Sequence, residues 1–242
     1  MGAPTIIASG GGGFSSEPDN SLLDDYILSS VAKPLPRVCF VPTASGDADP
    51  YIVKFYSAFS GSGIANRQTI PTHLSLFRRT VGDLRSFILQ QDIIYVGGGN
   101  TANMLAAWRV HGLDVILREA WARGIILCGP SAGGVCWFES GVTDSFGLPL
   151  REVTGCLDLL PGSFCPHYDS EPTRRPTYER LVAEGTLPAG FAADDRAALK
   201  FTGTELSEVV SSGPEARAWR VTSASGRGSS EELKPRYLGT AE

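Results

Sequence analysis

Three times along this chain a short apolar run of strand length ends in small residues and glycines: TIIASGGGGF at 5–14, DIIYVGGGNT at 92–101 and IILCGPSAGG at 125–134. Helix-patterned sequence follows the turns. Apolar runs alternating with amphipathic segments mark an α/β protein built on a mostly parallel sheet. Parallel strands then deliver their carboxyl ends, and these glycine turns, to one edge.

The same reading sets the remaining elements. Thr5–Ala8 is the first strand, and a helix follows over DNSLLDDYILSSVAK, with Asp19 or Asn20 as cap. Arg37–Val41 is a strand, Tyr51–Phe59 a helix, Gln68–Pro71 a weak strand and Val81–Gln90 a helix. Ala102–Arg123 is helical, with a break at His111–Gly112. After Ser131 the chain is rich in Pro and Gly with short strand-like pieces, then a helix over Tyr178–Glu184. Strands and turns run from Phe191 to about Thr222. The polar sequence from about 223 reads as a flexible tail with a weak core signal. No linker interrupts the pattern, so a single domain over 1–242 is expected.

Composition narrows the function. The 42% hydrophobic content suits a soluble globular core, and a net charge of −5 without any basic run argues against nucleic acid as a partner. Five cysteines, an odd number without framework spacing, fit a reducing compartment. No signal segment opens the chain, and no apolar run approaches the roughly 20 residues of a membrane span, so a cytoplasmic protein is expected, with no membrane partner.

GPSAG satisfies G-x-S-x-G in the context that motif requires, a strand, a sharp turn and a helix. Ser131 is therefore a candidate nucleophile, and the Ala132 N–H a candidate oxyanion donor. The competing reading is a glycine turn whose serine only caps a helix. Gly99 or a neighbour in VGGGNT would supply a second donor from the adjacent strand. Asn100 closes that turn as a helix cap and is carried as a substrate-facing residue. Neither VGGGNT nor SGGGGF completes G-x-G-x-x-G, and no G-K-[ST] follows, which disfavours nucleotide binding. Among His73, His111 and His167, the last, in CPHYD after a strand-like run, is the best base. The acid stays open among Asp144, Asp158, Asp169, Asp194 and Asp195.

Taken in order, VGGGNT, GPSAGG, PHYD and DDRAAL resemble the peptidase E family, the alpha-aspartyl dipeptidases, whose relatives include the cyanophycinases. The resemblance runs from about residue 5 to 210. It implies an α/β sandwich similar to class I glutamine amidotransferases, with serine at the elbow and neither metal nor organic cofactor. It places the nucleophile on Ser131, the base on His167, the oxyanion donors on Gly99 and Ala132, and the third member on Asp195, where the dipeptidases carry a glutamate. It also puts Arg174 of EPTRRP in register with an arginine that holds an acidic substrate side chain. The implied substrate is a dipeptide or short peptide, with an N-terminal aspartate as the candidate preference and a homodimer as the candidate assembly.

Three rivals remain at this level. A cyanophycinase-like isoaspartyl peptidase keeps the same machinery. An α/β-hydrolase esterase requires the order Ser, acid, His, and so Asp144 or Asp158. A non-catalytic small-molecule-binding protein of this fold would use Ser131 only as a cap.

Overall fold

The computed structural model describes residues 2–60, 68–224 and 226–239. The glycine-terminated runs form the centre of a sheet. Its strands are β1 (Thr5–Ser9), β2 (Arg37–Val41), β3 (Ile70–His73), β4 (Ile93–Val96), β5 (Ile126–Pro130), β10 (Ala197–Thr202), β11 (Glu205–Ser211) and β14 (Arg236–Tyr237), in the spatial order β14-β11-β10-β1-β5-β4-β2-β3. From β1 to β3 every neighbour is parallel, and β10 enters antiparallel beside β1. A second sheet contains β6 (Ser140–Thr143), β7 (Arg151–Thr154), β8 (Ser163–Cys165), β9 (Gly190–Ala193), β12 (Ala218–Ala224) and β13 (Arg227–Leu233), in the order β13-β12-β9-β8-β6-β7.

Alternation along the central strands sorts the core onto two faces. Ile7, Val38, Phe40, Ile93, Tyr95 and Cys128 pack with α1 (Leu22–Ser29) and α2 (Asp49–Phe59). Ile6, Ala8, Val41, Ile94, Val96 and Leu127 face the other way. There they meet α3 (Leu84–Leu89), α4 (Thr101–His111), α5 (Leu113–Ala122) and the second sheet. Phe138 bridges the sheets, stacked on Phe164 of β8 at 5.1 Å and edge-on to Phe201 of β10 at 5.7 Å. The outer face of the second sheet is covered by α7 (Arg174–Ala183) through Tyr178, Leu181 and Val182. The result is the α/β sandwich expected, of the class I glutamine amidotransferase type.

Gly112, at φ 68°, divides α4 from α5 where the long helical segment was expected to break. The polar stretch from 223 departs from the expected tail. Arg227–Leu233 pairs antiparallel with β12 at seven positions, from Ala224↔Arg227 to Ala218↔Leu233. As the outermost strand it needs main-chain partners more than apolar side chains, which is why RGSSEEL carries no core signal. Residues 225 and 240–242 of that stretch lie outside the described residues. All five cysteines are buried and unpaired. Among the described residues no helix is long and apolar enough to cross a membrane.

Candidate active site

The carboxyl ends of β1, β5 and β4 lie side by side, and each sequence glycine cluster does a different job there. Ser131 joins β5 to α6 (Ala132–Val135) at φ 55°, ψ −120°, a backbone conformation that a side chain disfavours. Its N–H donates to the Ser9 carbonyl at 3.1 Å, which ties the turn to the end of β1. The glycines of GPSAG permit this tightness: a Cβ on Gly129 or Gly133 would approach the Val96 carbonyl oxygen to 2.2 Å. The helix after Ser131 is a single turn, so what it offers an anion is local. Ala132, its first residue, has an N–H outside the helix's own hydrogen bonds.

The second sheet supplies the other groups. β8 and β9 run parallel with Ser163 opposite Gly190 and Cys165 opposite Ala192. Two residues beyond each strand, the chain reaches His167 on one side and Asp194–Asp195 on the other. His167 Nδ1 lies 2.6 Å from Asp195 Oδ1. Burial pushes the Asp195 carboxyl up. The hydrogen bond and charge of His167, the Ser170 hydroxyl and Arg196 outweigh that and hold it below the usual aspartate value. An ionised carboxylate only accepts, so Nδ1 carries a proton, and in the neutral ring the lone pair is on Nε2. Asp169 supports the pair from behind, with its Oδ1 accepting the Asp195 N–H at 2.8 Å.

The neighbouring Asp194 faces elsewhere. Its carboxylate accepts the Arg217 N–H at 2.8 Å and the Trp219 indole N–H at 3.2 Å, and burial raises its pKa. His73 bonds the Tyr56 hydroxyl on β3, and His111 lies at the end of α4 beside Arg79.

The first glycine cluster, which the sequence marked only as a turn, seats this pair. Gly11 bridges to Asp195, and a Cβ on Gly11 would lie 2.1 Å from Asp195 Oδ1 and 3.2 Å from His167 Cε1. Among the described residues no hydrogen bond joins Ser131 Oγ to His167. What connects them is the segment Ser9–Gly11, which accepts from Ser131 at one end and abuts the His–Asp pair at the other. A cavity of about 600 Å³ borders Asp195, Asp169 and Gly12, room for a small molecule.

The second cluster flanks Ser131. A Cβ on Gly98 would lie 3.4 Å from Ser131 Cβ and 3.9 Å from its Oγ. Gly99, at φ 138°, is pressed against the Ala44 carbonyl, and its N–H has no acceptor among the described residues. Asn100 caps α4: its Oδ1 accepts the Asn103 N–H at 2.9 Å and its Nδ2 donates to the Ser145 carbonyl at 2.9 Å.

Arg174 is placed differently from the resemblance. It is buried at the start of α7, donating through Nε to Glu171 at 2.7 Å and through Nη1 to the Val142 carbonyl at 3.0 Å. Arg175 pairs with Glu179 and lies over the Trp219 ring. No group of three or more His, Cys, Asp or Glu side chains is arranged to hold a metal ion among the described residues.

The sequence model of Peptidase family S51 matches residues 6–209. The chain is 52% identical to the uncharacterized peptidase YgaJ of Bacillus subtilis (strain 168) over 234 residues, covering 97% of this chain and 99% of that protein. It is 29% identical to Peptidase E of Streptomyces coelicolor over 177 residues, 68% of this chain and 69% of that one. Among solved structures, one from Listeria monocytogenes EGD-e carried under the peptidase E name superposes with a TM-score of 0.62 at 20% identity, covering 86% of this chain and 98% of the other. A peptidase from an acI-B1 Actinobacterium gives 0.59 at 18% identity, with 96% and 95% covered.

Proposed function

The chain belongs to peptidase family S51, and from that premise we propose that it is a serine-type peptidase acting on dipeptides or short peptides through Ser131, His167 and Asp195. The observation that carries the reading is the strained serine at φ 55° sharing one backbone segment, Ser9–Gly11, with a His–Asp pair bonded at 2.6 Å. A serine that only capped a helix would need neither.

In this mechanism His167 Nε2 takes the Ser131 proton as Oγ attacks the scissile carbonyl carbon. The oxyanion receives the N–H groups of Gly99 and Ala132, each worth about 3 kcal/mol by analogy with other serine hydrolases. Collapse of the tetrahedral intermediate expels the amine, which takes its proton from His167. Water then repeats the cycle on the acyl-enzyme. Asp195 keeps the proton on Nδ1 and stabilises the imidazolium. Its hold on His167 favours this order of residues over the esterase order with Asp144 or Asp158.

The preference for an N-terminal aspartate has no support from Arg174, whose guanidinium is engaged by Glu171 and Val142. Substrate choice is therefore put to a panel: Asp-Leu, Ala-Leu, a tripeptide, an isoaspartyl dipeptide and a simple ester. We expect hydrolysis of at least one peptide, lost in Ser131→Ala and reduced about 10³–10⁴-fold in Asp195→Asn. Full activity in Ser131→Ala would sink the mechanism. Full activity in Asp195→Asn, or cleavage of the ester alone, would return the esterase reading.

A further inference from the structure

The loop that follows β4 presents four successive backbone N–H groups, and three of them are spoken for. Gly97 donates to the Val41 carbonyl at 3.1 Å and Asn100 to the Ala44 carbonyl at 2.8 Å. Gly98 donates to the hydroxyl of Tyr51 at 3.3 Å. Gly99, beside the residue that faces Ser131, is the one without an acceptor among the described residues. The peptide plane that bears its N–H thus lies between two anchored planes. In a run of three glycines this matters, because nothing intrinsic to the chain restrains such a segment.

Two of the three anchors are main-chain carbonyls at or just beyond the end of β2. Only Tyr51 is a side chain, and it reaches the loop from the first turn of α2. Its ring is held from several directions. A Cβ on Gly97 would lie 2.9 Å from Tyr51 Cε1. The ring stands edge-on to Phe40 at 4.9 Å and tilted against Phe14 at 5.7 Å. Burial raises the pKa of its hydroxyl, which stays neutral at physiological pH.

We propose that Tyr51 is a positioning residue for catalysis: its hydroxyl fixes the Gly97–Gly98 peptide so that the Gly99 N–H stays directed at the oxyanion formed on Ser131. This rests on the serine-peptidase reading. Tyr51 touches no reacting atom, and its effect passes entirely through the loop.

The test is Tyr51→Phe, which keeps the packed ring and deletes the acceptor. Three quantities are read: the rate constant for phosphonylation of Ser131 by a fluorophosphonate, kcat and KM on a peptide cleaved in the panel, and the thermal midpoint. Losing an oxyanion donor outright lowers kcat about 10²–10³-fold, so loosening one is expected to slow phosphonylation and kcat about tenfold. KM should stay within about twofold, and affinity for a peptide boronic acid, whose adduct on Ser131 is tetrahedral, should fall with kcat. The fluorophosphonate step needs no known substrate. Wild-type phosphonylation and kcat in Tyr51→Phe would overturn the proposal, as would a loss confined to the thermal midpoint or to KM. Retained activity in Ser131→Ala would instead remove the serine mechanism, and this inference with it.

Discussion

Ser131 sits at φ 55°, ψ −120° with a Cβ that this conformation does not favour, a strain of about 1–3 kcal/mol for a non-glycine residue. Glycine would relieve it and give back about 0.5–1 kcal/mol in unfolded-state entropy. Ser131→Gly is therefore expected to raise the thermal midpoint by roughly 2–4 °C while abolishing activity, whereas Ser131→Ala, which keeps the Cβ, gains nothing comparable. Parallel thermal melts decide it: equal midpoints for the two variants would mean that the turn stores no strain. The two candidate acids show how much one position matters at this scale. Asp194 and Asp195 are adjacent in sequence, yet one accepts Arg217 and Trp219 and the other holds His167. Both lie within reach of the same turn. Their division depends on which way each side chain turns as the chain leaves β9, information absent from the string DDRAAL.

At the level of elements, α1 is fastened to the glycine turn after β1 by Asp24. Its Oδ2 accepts the Phe14 N–H at 2.7 Å, and the carboxyl is buried. Burial is the main cause that pushes its pKa from 3.8 up to about 7. The folded-state pKa is raised, so between pH 3.8 and about 7 the folded protein holds the proton that the unfolded chain releases, and stability falls as pH rises. This corresponds to something on the order of 4 kcal/mol, fully present below pH 3.8 and gone above about 7. Asp24→Asn can still accept from Phe14 and has no charge to bury. Urea midpoints should show the variant gaining on wild type from pH 4.5 to about 7 and the difference levelling off above that. A constant difference across that range would mean that Asp24 does not titrate in the folded state.

At the scale of the whole molecule, the candidate site lies on a seam between two sheets. Ser131 and the loops of Gly11 and Gly99 come from the first sheet, while His167 and Asp195 come from the second. The edge of the second sheet is the segment read as a tail. Ser230 of β13 donates to Glu179 at 2.6 Å and so accepts from the Tyr168 hydroxyl at 2.8 Å, by which β13 braces the residue after His167. A chain ending at Ala224 should lose roughly 5 °C or more in thermal midpoint, with kcat falling as His167 loosens. Unchanged melting and turnover would show that β13 is dispensable.

Local pattern sufficed for β1, β2, β4, β5 and their glycine turns, because a buried parallel strand is apolar along its whole length. It also marked Ser131 and His167 as the candidate nucleophile and base. It did not reveal the second sheet, where β6 to β9 are only three or four residues each and β13 is polar. The short strands are made by partners distant in the chain, β8 for β6 and β12 for β9, whereas β13 folds straight back on β12 and lacks only an apolar alternation. Nor did it reveal Gly11 as the seat of the His–Asp pair, Tyr51 as an anchor of the Gly99 loop, or the burial of Arg174. Each depends on which surface of one element meets another. The amino-acid sequence by itself determined the central parallel strands, their glycine turns and the kinds of reactive group, because these follow from local periodicity and residue chemistry. Only the tertiary structure decided which of those groups touch, since a contact such as His167–Asp195 is set by the register of β8 against β9 and by the close approach of Gly11.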